Sequence, residues 1–248
     1  IGAAGRAAAN IKEKPAVFFE RVKGYRYPVV TNVHGSWQSH ALMLGLDKNA
    51  SIKEQFFELN SRWDKYPVNP VIVHRDEAPC KENTISDNVN LFELISLYRI
   101  NEQDGGFFLS KAAVITGDPE EPDNLNKLNV GTYRIQVKDK DRVGIQALAF
   151  HDIAIQLEKA EQLNQPLPIA IALGNAPLLT FMASTPIAYD QSEYAFAGAL
   201  QNGKPVQIVK ADTCSWLYVP ATSEIILEGY ILPRVRKVEG PFGEFPGS

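Results

Sequence analysis

The sequence predicts an α+β protein: a small N-terminal α/β part over residues 1–104, then a barrel-like sheet with appended helices over residues 105–248. Three observations carry this. Strands and amphipathic helices mix in the first third. From about residue 105, short β-branched and apolar segments crowd together, interrupted by only two helical stretches. The strands are not separated by regular helices, so a doubly wound parallel sheet is disfavoured. A length of 248 residues fits one or two domains.

The elements follow in order. Residues 16–19 and 28–33 are rich in β-branched and aromatic side chains and read as strands. Ser36 caps a helix running to about Leu44, with Gly45 as its stop. Ser51 and Glu54 form a capping box, and Ile52, Phe56, Leu59 and Trp63 then define one apolar helix face. Pro67 and Pro70 end that unit, and residues 75–90 are polar and irregular, a linker. Strands are expected over 112–116, 130–137, 143–149, 168–173, 178–183, 206–210 and 224–232. Helices are expected over 152–165, before Pro166, and over 192–200, before Asn202-Gly203.

Composition excludes several classes. Lys+Arg total 25 against 29 Asp+Glu, a net charge of −4, whereas a nucleic-acid binder carries a basic face. No apolar run reaches the roughly 18 residues of a membrane span. Two cysteines, Cys80 and Cys214, make neither a disulfide framework nor a metal spacing, so a reduced cytoplasmic protein is the default. The chain opens Ile1-Gly2-Ala3-Ala4-Gly5, without Met and without the basic and apolar regions of a signal peptide. These ends suggest processing or a piece of a longer protein.

Four features could carry chemistry. Glu239-Gly240-Pro241-Phe242-Gly243-Glu244 holds two carboxylates five residues apart on a bendable loop. Two acids in one dry site acquire different proton affinities, as acid/base work needs; a solvated turn is the commoner meaning of such a loop. In Asn129-Val130-Gly131-Thr132-Tyr133-Arg134-Ile135-Gln136, strand alternation puts Thr132, Arg134 and Gln136 on one face. A mid-strand Arg wants a carboxylate or phosphate if buried, and is an ordinary wet-face residue otherwise. His151-Asp152 and Ser192-Glu193 both stand at helix starts. Asn129, His151 and Glu193 could together offer O and N donors to Mn²⁺ or Mg²⁺, although their separation gives no spacing signature. Walker, GxGxxG and GxSxG patterns are absent.

Taken in order, these segments resemble the UbiD-family decarboxylases. The resemblance rests on residues 129–136, His151-Asp152-Ile153-Ala154, Asp190-Gln191-Ser192-Glu193, residues 219–224, Glu228-Gly229 and residues 239–244, and extends to Gly35-Ser36-Trp37 and Asp104-Gly105-Gly106-Phe107. It is nearest to the C subunits of decarboxylases acting on 4-hydroxybenzoate or vanillate. It implies a split β-barrel like that of flavin reductases, holding prenylated FMN. It implies Arg134, Glu239 and Glu244 as catalytic residues, and Asn129, His151 and Glu193 as ligands of a Mn²⁺ (or Mg²⁺) that grips the cofactor phosphate. Thr132, Tyr133, Arg134, Gln136, Phe150 and Ser184 join those three ligands around the cofactor, with K⁺ near Ala183-Ser184-Thr185 and Glu193. Many members carry Gln where this chain has Phe150, so one polar cofactor contact is lost or replaced. The implied partners are an aromatic acid substrate, a flavin prenyltransferase as cofactor supplier and small accessory subunits.

Family members continue past residue 244 into a C-terminal domain that completes the active-site wall and drives homo-oligomerisation. Nothing here corresponds to it, so the chain reads as truncated at both ends. Three readings therefore stand: a non-oxidative aromatic acid decarboxylase, in whole or part; a non-catalytic flavin-binding fragment; and an FMN oxidoreductase, which has no need of the Glu239/Glu244 pair.

Overall fold

The computed structural model describes residues 1–109 and 111–243. Helix α1 (Gly2–Asn10) precedes an antiparallel hairpin of β1 (Val17–Phe19) and β2 (Val29–Thr31). Helix α2 (Trp37–Met43) begins where Ser36 Oγ accepts from Ser39 N at 3.0 Å, and the chain leaves through Gly45 at φ +70°. Helix α3 (Ile52–Trp63) carries both halves of the Ser51/Glu54 capping box.

The expected apolar face of α3 is only half right. Ile52 and Phe56 are exposed, whereas Gln55 and Arg62 are buried. Arg62 is satisfied beneath the helix: its guanidinium donates to Leu200 O at 2.8 Å and Leu44 O at 2.7 Å and pairs with Glu58. A guanidinium bonded through each of its three nitrogens can thus turn the helix by part of a turn from its apolar stripe. Leu59 and Trp63 still pack on the core, Trp63 with its ring 4.3 Å from Phe196.

Next come β3 (Val71–Ile72), two 3₁₀ turns within the expected linker, and α4 (Leu91–Leu94). The remaining elements are β4 (Phe108–Leu109), β5 (Ala113–Gly117), β6 (Leu128–Gly131), β7 (Ile135–Asp139), β8 (Arg142–Ile145), α5 (Asp152–Gln162), β9 (Leu167–Leu173), α6 (Pro177–Met182), α7 (Glu193–Leu200), β10 (Gln207–Lys210), β11 (Tyr218–Pro220) and β12 (Ile225–Ile231). An antiparallel sheet runs β12-β9-β5-β6, a second β4-β7-β8, and a third β11-β10-β3, with β3 parallel to β10. Among the described residues no sheet closes on itself.

Two expected strands are corrected. Residues 130–137 are not one strand: β6 and β7 lie in different sheets, and Thr132 N donates to Ala183 O at 2.7 Å instead of to a strand neighbour. Arg134 and Gln136 nevertheless both turn toward residues 239–240, while Tyr133 and Ile135 enter the core behind them. Residues 178–183 form α6, not a strand; a short apolar run does not reveal its period, and Pro177 opens the helix.

Strand β5 separates two cores. Ile115 packs with Val130, Tyr194, Phe196 and Ile208, while Val114 packs with Tyr133, Ile135, Ile153 and Ile171. Every residue of α7 is buried, so its first residue, Glu193, carries a carboxyl into the interior. Among the described residues no helix is long and apolar enough to cross a membrane.

Candidate active site

Tyr133 organises the first half of the site. Its hydroxyl donates to Asn129 Oδ1 at 3.0 Å, and its ring centroid lies 5.2 Å from that of His151. Asn129 Nδ2 donates to Thr116 Oγ1 at 3.0 Å, which turns the amide oxygen toward Tyr133. Glu193 reaches the same strand, accepting from Val130 N at 3.3 Å. The carboxyl is pushed up to about 8, chiefly by burial, with Asp152 adding to the push. His151 is the N-cap residue of α5, and its Nδ1 accepts from Leu148 N at 3.2 Å. Asn129, His151 and Glu193 are thus linked through Tyr133 and Val130.

This donor set suits a divalent cation on one count. A buried carboxyl pushed upward lacks a compensating charge, which a metal supplies. Among the described residues no cluster of three His, Cys, Asp or Glu side chains could hold a metal; the candidate trio has only two of those types and an asparagine.

The second half is an ion pair on a clipped loop. Arg134 Nη2 donates to Glu239 Oε2 at 2.7 Å, and Arg134 Nε lies 2.7 Å from Oε1. The Phe242 ring stands 5.0 Å from the guanidinium carbon, and Phe242 packs on Phe108 at 4.6 Å. Gln136 is buried and double-faced: Nε2 donates to Gly105 O at 3.2 Å, and Oε1 accepts from Gly240 N at 3.2 Å and from Lys138 Nζ. Glu244 lies outside the described residues.

Thr132 Oγ1 lies 3.1 Å from Ser184 Oγ. Phe150 is 77% exposed, its ring 4.6 Å from His151, so it offers an open apolar face beside a candidate ligand.

Sequence reasoning missed the residue that ties down the loop. Asp104 is buried; its Oδ1 accepts from Gly243 N and its Oδ2 from Asn101 N, both at 2.9 Å. Burial works to raise its pKa, but the donors from Asn101 and Gly243 outweigh that and hold it below the usual aspartate value. Gly105 N also donates to Pro241 O at 2.7 Å. The Asp104-Gly105-Gly106-Phe107 run was visible, but nothing in its spacing says which loop it grips.

The chain matches two family models. One, for the 3-octaprenyl-4-hydroxybenzoate carboxy-lyase Rift-related domain, covers residues 71–248, and the other, for the N-terminal domain, residues 1–59. The chain belongs to the UbiD family. A phenolic acid decarboxylase of Sedimentibacter hydroxybenzoicus is 72% identical over the whole chain, which covers 52% of that relative. The chain thus spans about half the length of the curated relatives it matches. The vanillic acid decarboxylase structure from that organism matches in its closed form with a TM-score of 0.98 and 72% identity, covering all of this chain and 52% of the other. Its open form gives 0.92 at 70% identity, over all of this chain and 52% of the other. The UbiD-class enzyme HmfF of Pelotomaculum thermopropionicum, in complex with prFMN, gives 0.87 at 33% identity, over all of this chain and 54% of the other.

Proposed function

We propose that this chain carries the cofactor site of a non-oxidative decarboxylase of phenolic acids such as 4-hydroxybenzoate or vanillate, working with prenylated FMN in a split β-barrel. The observation that supports it most is the Arg134–Glu239 pair, clamped beside Phe242 by a loop that Gln136 and Asp104 fasten. A flavin reductase has no use for that pair. The 72% identity to a phenolic acid decarboxylase supports the substrate class.

Loss of CO₂ from an aromatic acid leaves charge on a ring carbon, and the prenylated flavin supplies the electron sink when bound. The protein supplies position and protons. Arg134 binds the substrate carboxylate in competition with Glu239, since a guanidinium takes either carboxylate with two parallel bonds. Phe242, against Arg134, keeps water from that exchange and strengthens it. Glu244, five residues after Glu239 in the sequence, delivers the proton to the ring carbon.

Thr132, Tyr133, Gln136, Phe150 and Ser184 line the cofactor in this reading, and Asn129, His151 and Glu193 hold Mn²⁺ (or Mg²⁺) at its phosphate. His151 must then give up its Leu148 contact, whether it ligates through Nδ1 itself or through Nε2 with the proton moved to Nδ1. A K⁺ ion fits less well. Ala183 O already accepts from Thr132 N, and Ser184 Oγ from Lys111 Nζ at 2.9 Å. A small accessory subunit accords with the related vanillic acid decarboxylase, which has C and D parts.

The test is CO₂ release from 4-hydroxybenzoate and vanillate by the chain produced together with a flavin prenyltransferase. Turnover that falls at least about hundredfold in Glu239→Gln supports the reading. Bound prenylated flavin without turnover favours a binding module, and pyridine-nucleotide oxidation with plain FMN favours a reductase.

A further inference from the structure

Lys111 stands between β4 and β5 and is part of no sequence motif. Its ammonium donates to Ser184 Oγ at 2.9 Å, and Ser184 Oγ lies 3.1 Å from Thr132 Oγ1. Ser184 can send its own proton to Thr180 O at 3.2 Å, which leaves its lone pairs facing Lys111. Among the described residues no carboxylate pairs with Lys111. The His34 pKa is lowered, by burial first and then by the charges of Lys111 and His40. One ammonium and two hydroxyls thus gather where, among the described residues, no carboxylate bonds to them. Such a place is short of negative charge, and a bound anion offsets the shortage. It also adjoins the candidate active site, because Thr132 is two residues from Arg134 and three from Asn129.

We infer that Lys111, with the hydroxyls of Ser184 and Thr132, binds the phosphate monoester of a flavin mononucleotide. The inference rests on the flavin reading above and goes beyond it, giving the phosphate a fixed cation from this chain. The chemistry matches. A phosphate monoester carries close to two negative charges and three acceptor oxygens. Lys111 is a point charge with three donors, and each hydroxyl can rotate to donate. If Lys111 only tied its loop to α6, its loss would weaken FMN and riboflavin binding alike, since the two flavins differ by the phosphate alone.

The experiment titrates FMN and riboflavin against the 248-residue chain by flavin fluorescence, for the wild type, Lys111→Met and Lys111→Arg. The expected result is tighter binding of FMN than riboflavin by the wild type. Lys111→Met loses about tenfold or more of FMN affinity with riboflavin unchanged, and Lys111→Arg keeps most of it. Equal wild-type affinities, an unchanged FMN-to-riboflavin ratio in Lys111→Met, or equal losses for both flavins overturns the inference. If the wild type binds neither flavin, the flavin reading itself fails, and inorganic phosphate decides on the anion site. A saturable phosphate-induced rise in thermal midpoint that Lys111→Met abolishes upholds the site, and no rise overturns it.

Discussion

Replacing Asp104 with alanine releases residues 239–243 while leaving both cores in place. The carboxylate accepts two backbone N–H bonds of 2.9 Å, from Gly243 on the loop and from Asn101 beneath it. Hydrogen bonds to a charged group contribute about 1.5–3 kcal/mol each, so the substitution removes roughly 3–6 kcal/mol of local interaction. Water returns part of this once the loop lifts and its donors are wetted. A net of ~3 kcal/mol corresponds to roughly a hundredfold rise in the open population, at about 1.4 kcal/mol per decade. The assay is amide hydrogen exchange on the peptide spanning residues 238–243. Exchange there accelerates about a hundredfold in Asp104→Ala and by less in Asp104→Asn, which keeps one acceptor oxygen. The pH dependence follows from the lowered pKa. A depressed carboxyl contributes stability above its unfolded value of 3.8 and loses it as pH falls through the folded value. Loop protection in the wild type therefore declines only below about pH 3.8, and the acid dependence is missing in Asp104→Asn. Unchanged exchange in Asp104→Ala refutes the clamp.

Other outcomes follow from the same geometry. Gly105→Ala places a Cβ against Gly240 O and the Pro241 ring, so it raises exchange in the same peptide although no charge changes. Phe196→Ala strips the contacts of Trp63 and Tyr66, the latter stacked at 3.9 Å, and lowers stability by about 3–5 kcal/mol in urea unfolding. Mn²⁺ raises the thermal midpoint of the wild type and does so much less in Glu193→Gln, because the amide brings no charge to the ion. Equal Mn²⁺ responses would remove Glu193 from the ligand set. Asp118→Ala, which removes the buried partner of Lys159 Nζ and Tyr189 OH, destabilises by about 3–5 kcal/mol.

Local signals were legible in the sequence. Ser36, Ser51 with Glu54, Gly45 and Ser192 name helix ends through short-range chemistry, and each stands where expected. Strands β5, β9, β10 and β12 were visible as apolar runs. Where the reading failed, the deciding contact was distant. The bonds of Arg62 to Leu44 O and Leu200 O turn α3, and the Thr132–Ala183 bond breaks the 130–137 segment into two strands. The site divides the same way. Arg134 and Glu239 were named as catalytic, and the structure joins them across 105 residues. Asp104 and Lys111 were missed because their roles depend on partners 139 and 73 residues away, which no spacing rule connects.

We propose that this chain holds a prenylated flavin beside Arg134 and Glu239. The most direct measurement is the mass of the flavin that copurifies with the chain after production together with a flavin prenyltransferase. The account predicts a flavin heavier than FMN by a prenyl-derived group, retained in Glu239→Gln and depleted in Lys111→Met. Plain FMN alone, or no flavin, in the presence of an active prenyltransferase contradicts it.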